Sequence, residues 1–299
     1  MKKTIIQWLS FFSAFNLLSA ISVQANNESL SMSLDARVIS FDSGGTTLVG
    51  SLVYPKSRTI HAGVIFVHGS GKQKRWMPLA EKMAEEGIAT FVYDKRGVGE
   101  SEGEYEGKYT VSEKNIRLLS QDALAAFDML GNQEMLEGLP LGMTGLSQAG
   151  WIVPVAAMNA KARADTSRNV VDFIVLWSGP VTKVSEEDIF SKYTADKDSA
   201  RIPSYKEALN ARVLPYVWPP FLGEDMDPSD SLKDLGIPGL WVFGKQDGSI
   251  PVDLSIERLE QIALSNPKYE YVLFSGQGHN NVGASLPLVV DWIKRQATP

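Results

Sequence analysis

Residues 141–154 read Leu141-Gly142-Met143-Thr144-Gly145-Leu146-Ser147-Gln148-Ala149-Gly150-Trp151-Ile152-Val153-Pro154. A short apolar strand runs into a serine between small residues, and a helix begins directly after it. That is the layout of a nucleophile elbow, a sharp strand-to-helix turn that lifts a serine hydroxyl above the end of a sheet. Strand and helix pass close together there, so the flanking positions must be small. Gly145 and Gly150 meet the need, and Ala149 stands where the pattern Gly-x-Ser-x-Gly has its second glycine.

The chain on either side alternates between strand and helix patterns. Upstream, Asp35–Phe41 and Thr46–Tyr54 read as a hairpin around Asp42-Ser43-Gly44-Gly45. Ala62–Val67 and Ile88–Tyr93 are continuous apolar runs, as expected of strands buried on both faces. Between them, Arg75–Glu86 has helical spacing through Trp76, Leu79, Ala80 and Met83. Thr110 with Glu113 predicts a capping box ahead of a helix carrying Ile116, Leu119, Ala123, Phe127 and Leu130 on one face. Downstream, Val170–Trp177, Pro238–Phe243 and Tyr269–Phe274 read as strands. Helices are expected over about Val252–Leu264 and through Leu286, Val289, Val290 and Ile293. The pattern predicts an α/β fold of about eight mostly parallel strands, the first two an antiparallel hairpin, with helices on both faces.

One interval breaks the alternation. From about Val181 to Leu235 the chain is too long for a plain strand-to-helix connection. It predicts a small cap inserted in the domain, with Tyr216, Trp218 and Phe221 in a proline-stiffened stretch as candidate substrate-binding residues. The other reading is a surface insertion whose aromatics only pack it down.

Met1-Lys2-Lys3, an apolar run from Ile5 to Val23 and the small-residue site ending at Ala25 form the three-part pattern of a secretory signal peptide. Residues 1–25 are therefore expected to be removed, leaving 26–299 as one exported domain, periplasmic or secreted. No later stretch is long and apolar enough to span a membrane, so no stable membrane insertion of the mature chain is expected. Losing two lysines and no acid moves the formal charge from −6 to −8. Such an acidic chain is a poor binder of phosphate backbones, and no nucleic-acid partner is expected. The chain has no cysteine and only His61, His68 and His279. A thiol nucleophile and disulfides are excluded, and no metal or other cofactor is implied.

A serine hydroxyl needs an adjacent base, itself oriented by a third group. His279 follows the last strand in Gly278-His279-Asn280, whereas His61 precedes a strand and His68 lies in the loop expected to bind the oxyanion. Asp247 follows the strand that ends near Gly244, at the same edge of the sheet. Asp225, Asp227, Asp230 and Asp253 are more simply capping or solvated residues. The order Ser147, Asp247, His279 fits a serine triad. The oxyanion hole requires two backbone N–H groups, one expected from Gln148 and one from Ser70 in His68-Gly69-Ser70-Gly71.

Taken in order, His68-Gly69-Ser70-Gly71, the run Tyr93-Asp94-Lys95-Arg96-Gly97-Val98-Gly99-Glu100-Ser101, the elbow and Gly278-His279 resemble the α/β-hydrolase superfamily. The likeness is to bacterial serine esterases near the dienelactone-hydrolase and prolyl-oligopeptidase branch. It implies an α/β-hydrolase fold and hydrolysis of small carboxylic esters through an acyl-enzyme. Relatives commonly carry Gly-His-Ser-Gln-Gly-Gly at the elbow, where this chain has Leu146 and Ala149. Two rivals remain: a serine peptidase or amidase of that branch, and a non-catalytic binding protein on the same fold.

Overall fold

The computed structural model describes residues 33–163 and 169–297, the Lys108 side chain apart; the expected signal peptide lies outside these residues. β1 (Leu34–Ser43) and β2 (Thr46–Pro55) pair antiparallel, with Ser43 opposite Thr46 across the turn Gly44-Gly45. Both turn glycines have positive φ, 59° and 82°, as a tight hairpin requires. β3 (Ala62–Val67), β4 (Ile88–Tyr93), β5 (Leu141–Leu146), β6 (Phe173–Trp177), β7 (Gly239–Gly244) and β8 (Tyr269–Phe274) complete one sheet. Its order is β1-β2-β4-β3-β5-β6-β7-β8, and from β4 onward every neighbouring pair is parallel.

Strand alternation builds a core on each face. Ile65, Val67, Ile174, Leu176, Trp241 and Phe243 point to one side. There they meet α2 (Glu113–Gly131), α3 (Ala149–Ala162) and α7 (Val252–Ala263). Val64, Phe66, Phe173, Val175, Trp177, Leu240 and Val242 point to the other, against α1 (Met77–Glu85) and α8 (Val282–Gln296). This is the three-layer α/β arrangement the apolar runs predict. α3 is buried along most of its length, which explains why its sequence is apolar nearly all round.

Several boundaries differ from the sequence pattern, β6 for one beginning at Phe173 rather than Val170, and two differ for tertiary reasons. α1 starts at Met77 rather than Arg75, because Asp94 accepts the Arg75 N–H at 2.8 Å and its guanidinium at 2.7 Å. The cap of α2 is Ser112, whose hydroxyl accepts the Asn115 N–H, and not Thr110. The Thr110 carbonyl is drawn away to accept from Gln148 Nε2 at 2.6 Å and Asn115 Nδ2 at 2.7 Å. Between β6 and β7 the chain forms α4 (Val184–Thr194), α5 (Tyr205–Asn210) and α6 (Pro228–Leu235). Among the described residues no helix is long and apolar enough to cross a membrane.

Candidate active site

Ser147 leaves β5 with φ 55°, in the left-handed region that a serine rarely occupies. Such a conformation costs on the order of 1–3 kcal/mol and persists only where the surroundings impose it. Its N–H donates to the Trp177 carbonyl at 2.9 Å, and its own carbonyl accepts the Gly150 N–H at 2.8 Å. A Cβ on Gly150 would lie 2.5 Å from Pro180 Cδ, so the turn closes only with glycine there. Ala149 is tolerated because its methyl occupies the bare face of Gly145, where a second Cβ would overlap it.

On the far side of β6, Asp247 and His279 form the pair that the order of elements suggests. Asp247 is fully buried, and its Oδ2 and Oδ1 lie 2.9 and 3.0 Å from His279 Nδ1. Oδ1 also accepts the N–H groups of Ser249 at 2.8 Å and Ile250 at 3.1 Å, fixing the carboxylate. Burial pulls the imidazolium of His279 down. The hydrogen bond and charge of Asp247, with Asp198 and Asp196 behind, outweigh it and hold the ring above its ordinary value. A ring that donates a hydrogen bond from its Nδ1–H to Asp247 keeps Nε2 as the acceptor.

Ser178, at the end of β6, links the two halves. Its N–H donates to Val242 O at 2.8 Å and its hydroxyl to His279 O at 2.8 Å, while Asn281 Nδ2 donates to that hydroxyl at 3.0 Å. The other aspartates are engaged elsewhere. Asp225 accepts the Ser185 N–H, Asp227 caps α6, Asp230 pairs with Lys233 at the surface, and Asp253 accepts the Tyr205 N–H.

The expected oxyanion elements also meet here. Gly69 lies against the Ser147 side chain, and neither Ser70 N–H nor Gln148 N–H has an acceptor among the described residues. Lys95 ties the two strands of this hole together, donating to Gly69 O at 2.9 Å and to Gln148 Oε1 at 2.8 Å. Burial brings its ammonium down to about 8. In the sequence Lys95 is only one residue of the run Tyr93–Ser101. Its brace is invisible there because its partners lie far away in the chain.

A cavity of about 310 Å³ opens next to the elbow, lined by Phe66, Trp76 and Leu146 and by polar His68, Gln73, Arg75 and Asn280. None of the three cap aromatics lines it. Tyr216 donates to Asp188 at 2.8 Å, and Trp218 donates to Gly223 O at 2.8 Å while packing on the core. Phe221 is 71 % exposed and meets Tyr109 edge-on, in a separate cleft. A larger hollow of about 840 Å³ surrounds Leu141, at the end of β5 away from Ser147.

The family profile described as Serine aminopeptidase, S33 matches residues 58–219. An esterase of Pyrococcus furiosus superposes with a TM-score of 0.62 at 16% identity, covering 90% of this chain and 91% of that one. The acylaminoacyl peptidase of Pyrococcus horikoshii gives 0.62 at 17% identity, covering 88% of this chain and 42% of that one. Dienelactone hydrolase of Anabaena variabilis gives 0.55 at 20% identity, covering 88% and 98%. These structures share the α/β-hydrolase fold with this chain. No curated protein matches it by sequence.

Proposed function

On the premise that this chain belongs to the serine aminopeptidase S33 family of α/β hydrolases, we propose that it cleaves small carboxylic esters with Ser147 as nucleophile. The observation that carries the reading is the left-handed Ser147 on a sterically closed elbow, at the same sheet edge as the buried Asp247–His279 pair. His279 Nε2 takes the hydroxyl proton as Ser147 Oγ attacks the ester carbonyl. The N–H groups of Ser70 and Gln148 receive the developing oxyanion. The alcohol leaves with the proton from His279, and a water activated by the same ring releases the acid. Asp247 holds the ring and stabilises its charged form without taking the proton.

The cavity next to the elbow is small, with Phe66, Trp76 and Leu146 as its apolar lining beside polar His68, Gln73, Arg75 and Asn280, which suits a short acyl or aryl group. Of the cap aromatics, Phe221 is the most exposed, and from its separate cleft with Tyr109 it would meet only a substrate that extends well past the cavity. Tyr216 and Trp218 then act by holding the stretch that carries it. Export is part of the same proposal, with residues 1–25 as the cleaved signal peptide. N-terminal sequencing of protein recovered from outside the cytoplasm tests it, and a retained Met1 would refute it.

One observation favours cleavage of amides as a second reading. Asp188, Asp196 and Asp247 converge on Glu187 at the insertion side of the site, a cluster of carboxyl groups whose repulsion a substrate with a cationic amine would relieve. The experiment compares kcat/KM for aryl esters of graded acyl length with that for aminoacyl anilides. Ester hydrolysis should exceed anilide hydrolysis and fall with acyl length. A preference for anilides bearing a free amine would replace the ester reading.

A further inference from the structure

We infer that Asp198, a surface carboxylate supplied by the insertion between β6 and β7, is a positioning residue for both the acid and the base; this rests on the triad reading above. Its Oδ1 accepts the N–H of Gly248 at 3.0 Å, and its Oδ2 accepts the N–H of His279 at 3.0 Å. One side chain thus joins the peptide directly after Asp247 to the peptide of His279 itself. Both loops are otherwise irregular backbone.

The rest of the segment is fitted to the same task. Ser199 N–H donates to Gln246 O at 3.1 Å, and the Thr194 hydroxyl donates to Gly248 O. Gln246 N–H in turn donates to Gln277 O at 2.9 Å, so the acid loop, the base loop and the insertion form one hydrogen-bonded layer. The packing leaves no room for alternatives. A Cβ on Gly278 would overlap the Asp198 carboxylate, and one on Gly248 would overlap the Lys197 carbonyl.

Backbone strain points to the same place. Four non-glycine residues have positive φ among the described residues: Ser147, Ser178, Ala195 and Asp196. The first is the proposed nucleophile, and the second donates to the His279 carbonyl. The other two stand in succession at the end of α4 and turn the chain so that Asp198 reaches the loops. Strain of this kind survives where tertiary contacts over-determine it. The charges that act most strongly on His279 are those of Asp247, Asp198 and Asp196, all acidic. Asp198 therefore fixes the ring's backbone and adds to the field that keeps its proton.

The test uses Asp198→Asn, Asp198→Ala and Gly278→Ala in the full-length chain, with a short aryl ester, a fluorophosphonate probe and melting curves. Asp198 is exposed, so Asp198→Asn should melt close to wild type. Its kcat should fall between about 10- and 100-fold, the scale of small misplacements at a reacting centre. KM should hardly move, and the acid limb of kcat/KM should shift to lower pH as His279 loses a neighbouring negative charge. Asp198→Ala should lose more. Gly278→Ala, which displaces the carboxylate without removing it, should lower kcat alike, and the double variant should add nothing further. Gly278→Ala also carries the test if Asp198→Asn does not fold. Wild-type kcat in folded Asp198→Asn or Gly278→Ala, or a loss proportional only to the unfolded fraction, would overturn the proposal. A wild type that takes no probe at Ser147 would overturn the triad and this proposal with it.

Discussion

His68 and His279 both follow parallel strands at the carboxyl edge of one sheet, and their surroundings give them opposite chemistry. His68 is 4 % exposed and lies edge-on to Tyr93 at 5.0 Å, with no carboxylate on its ring. Burial, helped by the charge of Lys95, drives it down to about 3, so it stays neutral at any working pH. His279 is also desolvated, though less completely, yet Asp247 on its Nδ1 raises it above the ordinary 6.5. A general base must hold a proton transiently near neutrality. What the ring is packed against, rather than its place on the sheet, separates brace from base.

The largest effect expected from this contrast is on turnover. His279→Ala should reduce kcat by on the order of 10⁶, the scale seen when a triad base is removed. His68→Ala should lower the melting temperature and retain turnover far above that of His279→Ala. Equal inactivity of the two variants in folded protein would break the distinction. In the wild type, kcat/KM should fall on the acid side with a midpoint above 6.5, because His279 must be neutral to accept the serine proton.

Asp247→Asn comes next. The amide would present an N–H to His279 Nδ1 and leave the ring proton on Nε2, the wrong tautomer for a base. Turnover should drop by about 10⁴ with little change in melting temperature. A near-normal rate would show that Asp247 does not set the ring.

The smallest effect sharpens the electrostatic side of the comparison. Burial, with the charges of Asp196, Asp188 and Asp247 nearby, pushes Glu187 up to about 8, against 4.5 for an ordinary glutamate. Between those values the unfolded chain loses a proton that the folded protein keeps, so this group's contribution to stability falls as pH rises. Glu187→Gln removes the effect. Its melting temperature should match wild type near pH 4 and exceed it increasingly up to about pH 8. An advantage that is constant with pH would place Glu187 in an unperturbed setting.

The sheet and the candidate triad were legible for the same reason. Apolar runs such as Ala62–Val67 must be buried on both faces, and with so few histidines the position of His279 after β8 leaves little choice of base. Ser147 itself was marked by local constraint, since only small neighbours fit its turn. What stayed hidden depends on partners distant in sequence. Lys95 becomes informative only when Gly69 and Gln148 are seen to converge on it. Asp198 looks like any solvated acid of the insertion until the Gly248 and His279 peptides are placed beside it. Thr110 has the spacing of a helix cap, but the elbow's Gln148 claims its carbonyl, and Ser112 takes the role. Local pattern is silent about such long-range competition.

The most direct test is to treat wild type and Ser147→Ala with a fluorophosphonate, map the modified peptide by mass spectrometry, and assay both against a short aryl ester. The wild type should be labelled at Ser147 alone and hydrolyse the ester, while Ser147→Ala should melt like wild type, take no label and show no turnover. Labelling at another serine, or hydrolysis by folded Ser147→Ala, would contradict the assignment of the nucleophile.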